Sequence, residues 1–305
     1  MKRAAALFLV FASLWAFTAC DAQDPDKISV VCTSFPAYDT VRQLAGDKAE
    51  YTMLLSPGKD DHSYEPTVKD ILSIKKCDIF VYVGGEGDEW AKELLESSGN
   101  ESMITVSMME QVPLICAEDE NHEDGHGHAH EYDEHVWTSP ENMKLISKAV
   151  AEALSEKDPE NKSFYAEAQL GYEAQLELLS QDIRKTVENG KRDYIVMADR
   201  FPLIYFAKEY GLSYYAAFPG CNEKTEPSPA VTAQLIEKVE TEKLPAIFKL
   251  ELSDGYVARA ISEKTGAQIL TFYACHNISK ADLQSGETYI SLMRRNIEAL
   301  AVALN

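Results

Sequence analysis

The chain carries seven histidines, and five of them fall between positions 122 and 135 of the stretch NHEDGHGHAHEYDEHVWTSP, residues 121–140. Imidazoles interleaved with carboxylates form the donor mixture that divalent transition-metal ions accept. The five are not alike. His135 is followed by Val136-Trp137, an apolar pair that buries its backbone, and then by Thr138-Ser139-Pro140, which reads as a cap opening a helix. It therefore sits at an ordered edge and is a candidate fixed ligand. His122, His126, His128 and His130 alternate with Gly, Ala, Asp and Glu in a segment unable to bury a core, which makes them a weak metal-collecting loop. The plainer reading of those four is a solvated acidic loop. A sixth histidine, His62, lies in SPGKDDHSYEP (56–66), where Asp60, Asp61 and Glu65 crowd one imidazole. A lone loop histidine is usually just solvated, but such anionic company is what a cation exploits.

The elements that must hold these side chains can be read from the hydrophobic pattern. KISVVCTS, YTMLL, DIFVYVGG and SMITVS are strand-like runs. Between them FPAYDTVRQLAGDKAE, a stretch from Pro66 to Lys76 and EWAKELLESS have helical spacing. The rhythm returns after residue 190 with RDYIVMA, FPLIYFAKEYG, LSYYAAF, SPAVTAQLIEKVETEK, PAIFKLE, YVARAISEKTG and AQILTFY, and it ends with a helix near Thr288 to Leu304. Strands alternating with helices imply an α/β protein of two lobes, each a mainly parallel sheet wrapped by helices. Residues 140–190, between the lobes, carry almost no strand signal and break only at Asp158-Pro159. Two helices separated by one proline corner fit best, the second a long one from about Glu160, with a coiled-coil dimer as the structural alternative. His62 then follows a strand, where doubly wound folds collect ligands.

At 305 residues, 45% hydrophobic and 26% charged, the chain can bury a real core. Its net charge of -21 repels nucleic acid and anionic lipid and concentrates cations. Residues 1–19 have the basic pair Lys2-Arg3, an apolar run and small residues at the end, the layout of a signal peptide. Phe17-Thr18-Ala19-Cys20 resembles a bacterial lipobox, in which Cys20 is lipidated and becomes the first mature residue, with residues 20–27 as a tether. Five further cysteines leave at least one free thiol, and none lies in a C-x-x-C pair. Buried thiols are the simplest reading, and Cys221 with Cys275 is the pair to consider if a disulfide exists.

Taken in order, the signal and lipobox, G-x-D-x-H-x-Y-E-P, the acidic histidine-rich loop, H-x-W-x-S-P, the long helix, YFAKEYGL, TEPSP and a closing S-L-M-x-x-N resemble the zinc and manganese binding proteins of ABC importers. The resemblance implies a signal peptide (1–19), a lipidated tether (20–27) and an N-terminal metal-binding lobe (28–159) containing the 117–134 loop. One long rigid linking helix that joins the lobes (160–189) and a C-terminal metal-binding lobe (190–305) would follow. It implies His62 and His135 as the first two metal ligands. The family's third ligand falls at Arg200, which cannot bind a cation. The fourth, a carboxylate in the family, falls near LTFYACHNIS, where His276 stands. His62, His135 and His276 are thus the expected metal set, with Asp60, Glu251 and Tyr273 as further candidate donors and Cys275 as an outside one. Glu226, Asp199 and Glu251 are candidates to neutralise Arg200.

The implied function is capture of a divalent ion, Zn2+ by preference and Mn2+ as the alternative, and delivery to an ABC transporter permease. The protein would be an extracytoplasmic, lipid-anchored monomer with no nucleic acid partner. A surface adhesin and a zinc-dependent hydrolase are the rival classes. Against the hydrolase, the sequence holds no H-E-x-x-H pair, and no Ser-His-Asp order can be assembled from its histidines.

Overall fold

The computed structural model describes residues 27–59, 64–116, 132–218 and 228–305. The first lobe runs β1 (Ile28–Cys32), α1 (Phe35–Ala45), β2 (Ala49–Met53), α2 (Val68–Lys76), β3 (Ile79–Tyr82), α3 (Glu89–Ser97) and β4 (Ile104–Ser107). Every residue of β3 is buried, as expected of a parallel strand covered on both faces. Its sheet is wholly parallel, in the order β2-β1-β3-β4. Strand order therefore reverses between β1 and β3, which opens a crevice at their carboxyl ends.

Two helices follow, α4 (Pro140–Lys157) and α5 (Lys162–Glu188). Pro159 ends the first, and the Asp158 carboxylate holds the corner by accepting from the Asn161 amide at 2.7 Å and the Tyr165 hydroxyl at 2.7 Å. With 27 residues, α5 extends about 40 Å. The second lobe runs β5 (Tyr194–Met197), α6 (Ile204–Tyr210), β6 (Ser213–Ala216), α7 (Pro229–Glu242), β7 (Ala246–Leu250), α8 (Tyr256–Thr265), β8 (Gln268–Phe272), α9 (Lys280–Gln284) and α10 (Tyr289–Ala303). Its sheet order, β6-β5-β7-β8, repeats the first lobe's reversal about the first strand.

The main hydrophobic core is continuous through both lobes. It joins Val30, Ile79 and Trp137 to Leu176 on α5, then to Phe248, Phe272 and Leu300. Polar contacts reinforce the joint. Asp39 on α1 is fully buried and accepts from the Tyr289 amide at the start of α10 at 2.7 Å, while the Tyr289 hydroxyl donates to the Trp137 carbonyl at 2.7 Å.

Cys32, Cys77 and Cys275 are buried free thiols and Cys116 is an exposed one. The pairing of Cys275 with Cys221 considered above is therefore not made; Cys221 itself lies outside the described residues. Burial pushes the Cys275 thiol well above its ordinary value, so it is an inert core group.

Candidate metal centre

His135 stands at the head of a short 3-10 turn, Val136–Thr138, which leads into α4. The turn is fixed from below because Val136 and Trp137 are fully buried. It is fixed from above because the Ser139 hydroxyl caps α4 by accepting from the Asn142 amide at 3.0 Å. His135 is 2% exposed, and Asp133 holds it twice: one carboxylate oxygen accepts from its main-chain amide at 2.9 Å and faces Nδ1 at 3.1 Å. Burial alone would raise the Asp133 carboxyl, but the His135 imidazole, its hydrogen bonds and the nearby His276 outweigh it and hold the group below the usual range. A carboxylate at Nδ1 favours the tautomer with the proton there, so Nε2 is the nitrogen that can lend a lone pair.

His276 follows β8 in a loop held from three sides. Glu251 accepts from the Ala274 amide at 3.0 Å and from the Cys275 amide at 2.8 Å, and burial raises its carboxyl. Trp137 donates its indole N–H to the Ala274 carbonyl at 2.9 Å, tying the loop to the His135 turn. Asn296 on α10 brackets Tyr273, accepting from its amide at 2.8 Å and donating to its carbonyl at 2.9 Å. Cys275 adopts a left-handed backbone (φ 59°), which reverses the chain just before His276.

The His135 and His276 rings consequently meet with centroids 5.4 Å apart and planes at 89°. An imidazole nitrogen about 2.0–2.1 Å from a zinc ion places its ring centre about 3.2 Å away, so two rings at a tetrahedral angle have centroids about 5.2 Å apart. The observed spacing fits two imidazoles sharing one ion. His276 also helps to line a small pocket whose other wall is the first lobe, including Thr33, Tyr64, Asp88 and Glu134. Asp88 accepts from the Val83 amide at 2.7 Å and the Thr33 hydroxyl at 3.1 Å, and burial pushes its carboxyl up to about 6.

Of the residues singled out from sequence, His135 and His276 are brought together. His62, Asp60, Glu226, Cys20 and the loop histidines His122, His126, His128 and His130 lie outside the described residues. Among the described residues no three His, Cys, Asp or Glu side chains converge as a set able to hold a metal. Glu251 and Tyr273 are engaged within their own lobe, Glu251 with the two loop amides and Tyr273 through its hydroxyl, which accepts from Arg295 at 3.2 Å. Arg200 lies just past the carboxyl end of β5 with its amide donating to the Asp199 carboxylate at 2.9 Å. Asp133, Asp88 and Asn277 escaped the sequence reading. Asp133 had a signal, its position two before a ligand-type histidine, whereas nothing local marks the other two.

The model of the family described as zinc-uptake complex component A, periplasmic (ZnuA), matches residues 30–303. The chain belongs to the ZnuA family. It is 28% identical to the zinc-binding lipoprotein AdcA of Streptococcus pneumoniae, with 98% of this chain aligned to 60% of that protein, so it spans less than two thirds of AdcA's length. It is 29% identical to the high-affinity zinc uptake system protein ZnuA of Bacillus subtilis, with 99% of this chain and 98% of that one aligned. A crystal structure of the Zn(II)-bound ZnuA-like domain of S. pneumoniae AdcA shares the fold at a TM-score of 0.77 and 27% identity, covering 91% of this chain and 99% of that domain. The two-lobed α/β architecture joined by a long helix is thus that of ZnuA-like proteins. None of the described helices is long and apolar enough to cross a membrane.

Proposed function

We propose that this ZnuA-family chain captures one divalent cation, zinc by preference, between its lobes and delivers it to the membrane permease of an ABC importer without making or breaking covalent bonds. The observation that carries the reading is the perpendicular imidazole pair at 5.4 Å, with Asp133 set against Nδ1 of one member. His62, His135 and His276 supply three nitrogens, and Asp60 or a water completes the tetrahedron. Three imidazoles favour zinc, whereas manganese sites take more carboxylate oxygen. Manganese remains the second cargo because a relative that is 28% identical over its full length is named a manganese ABC transporter substrate-binding lipoprotein. Glu251 and Tyr273 support the His276 loop instead of ligating. The loop containing His122, His126, His128 and His130 gathers ions near the cleft, and lipid on Cys20 holds the mature chain at the outer face of the membrane.

Titration of the purified chain with zinc, read by native mass spectrometry, is expected to show one tightly held ion. His276→Ala should weaken that binding at least tenfold, since even the loss of a group behind a ligand costs 10- to 100-fold. Arg200→His, which restores an imidazole where the family resemblance expects one, should leave binding intact or tighten it. A parent chain that holds no ion, or a His276→Ala variant that binds like the parent, overturns the assignment.

A further inference from the structure

A side-chain amide next to His276 bridges the two lobes. Asn277 directly follows His276 and is 2% exposed. Its Nδ2 donates to two carbonyls of the other lobe, Ser56 at 2.8 Å and Lys59 at 2.8 Å, which are 221 and 218 residues away in the chain. Its Oδ1 accepts from the Ile278 amide at 2.7 Å, and the Ile278 carbonyl in turn accepts from the Gly58 amide at 2.9 Å. Both donors and the acceptor of the carboxamide are therefore used, so its orientation is fixed. No other short side chain can do this: Asp has no donor when ionised, and Ser has a single one.

The turn it grips lies largely at the surface. Residues 56–59 follow the last ladder bond of β2, Ser56, Gly58 and Lys59 are exposed, and the turn closes on itself through the Lys59 amide to the Ser56 carbonyl at 3.1 Å. Gly58, at φ 79°, permits that closure. His62 is three residues beyond Lys59, a reach of at most about 10 Å of extended chain. Whatever holds residues 56–59 thereby limits where the first-lobe histidine can stand relative to His276.

We infer that Asn277 is an inter-lobe clasp that fastens the 56–59 turn to the His276 loop, and that cargo leaves when this clasp opens. The inference rests on the capture function proposed above. The continuous core and the buried Asp39 to Tyr289 contact would have to break for the whole lobes to part. The clasp is made of neutral hydrogen bonds on an exposed turn, each worth roughly two- to tenfold in an equilibrium, so it is the cheaper place to open. Asn277 acts here as a positioning residue and need not touch the ion.

The test uses the full chain with Asn277→Ala and Asn277→Asp. The aspartate keeps the shape and the acceptor for Ile278 but loses both donors, and it sets a negative group against two carbonyl oxygens. Hydrogen exchange of the Gly58 amide in metal-free protein should become at least about tenfold faster in both variants, while core amides of β3 exchange as in the parent. Zinc release into excess chelator, followed by stopped flow, should accelerate about tenfold with little change in the association rate. Unchanged Gly58 exchange would show that Asn277 fastens nothing. Faster exchange with an unchanged release rate would leave a structural bond and overturn its part in release. A parent chain that binds no zinc removes the release half together with the function it rests on, and Gly58 exchange then still decides the clasp.

Discussion

Asp133 sets the direction in which His135 can bind. Its carboxylate grips both the amide and Nδ1 of the same histidine, so the ring cannot turn without losing a partner. Asp133→Ala should therefore weaken zinc binding by roughly 10- to 100-fold while the far-ultraviolet dichroism stays that of the parent; an unaltered affinity would show that the His135 turn alone orients the ring. Asp88 makes a different forecast. Its carboxyl is raised from 3.8 to about 6, chiefly by burial, with the neighbouring Glu134 adding to the rise and the Val83 and Thr33 hydrogen bonds opposing it. Between pH 4 and 6 the folded chain holds a proton that the unfolded chain has released, so stability from this group falls as pH rises through that window. Asp88→Asn keeps an acceptor for Val83 and Thr33 and should be more stable than the parent at pH 8, by on the order of 2 to 3 kcal/mol. The difference should vanish below pH 4 in urea titrations, and a gap equal at both pH values would rule out charge burial as its cause. Legibility at this scale follows distance along the chain. His135 announced itself through Val136-Trp137 and the cap at Ser139. His276 was visible only through family resemblance, and Asn277 was invisible because its partners lie more than two hundred residues away.

At the scale of elements, the alternating pattern gave the strands and helices close to their ends, because buried parallel strands such as IFVY and caps such as Ser139 and Thr288 are written locally. The joint at Pro159 and the length of α5 followed from the same signals. Helix α9, five residues long, was not read because so short a segment has no periodicity to detect. The 3-10 turn that aims His135 was likewise unmarked, since its shape depends on Trp137 reaching the far lobe. Helix α4 is tied at its start to the second lobe: Ser139 donates to Glu209 on α6, whose other oxygen accepts from Ser180 on α5 at 3.1 Å. Ser139→Ala removes the cap and one partner of Glu209 together, and it should cost about 1 to 2 kcal/mol. The expected sign is a lower urea midpoint with an unchanged slope; a parent-like midpoint would mean that Pro140 and the buried turn suffice to start α4.

For the whole molecule, the continuous core sets how far the lobes can move. A helix about 40 Å long packed against both sides, together with the buried Asp39 contact, resists wide hinge closure, so ion uptake should involve small tilts and loop adjustments. Small-angle scattering profiles with and without zinc should nearly coincide, and a radius of gyration that shrinks markedly on binding would contradict this. The Asp39 to Tyr289 bond also spans 250 residues. Helix α1 cannot complete its buried contacts until α10 is present. Such distant pairing carries a loop-closure cost that must be met before the contact rewards it, which slows folding. The consequence is one of timing: α1 and α10 must find each other across most of the chain before the packing between them is complete.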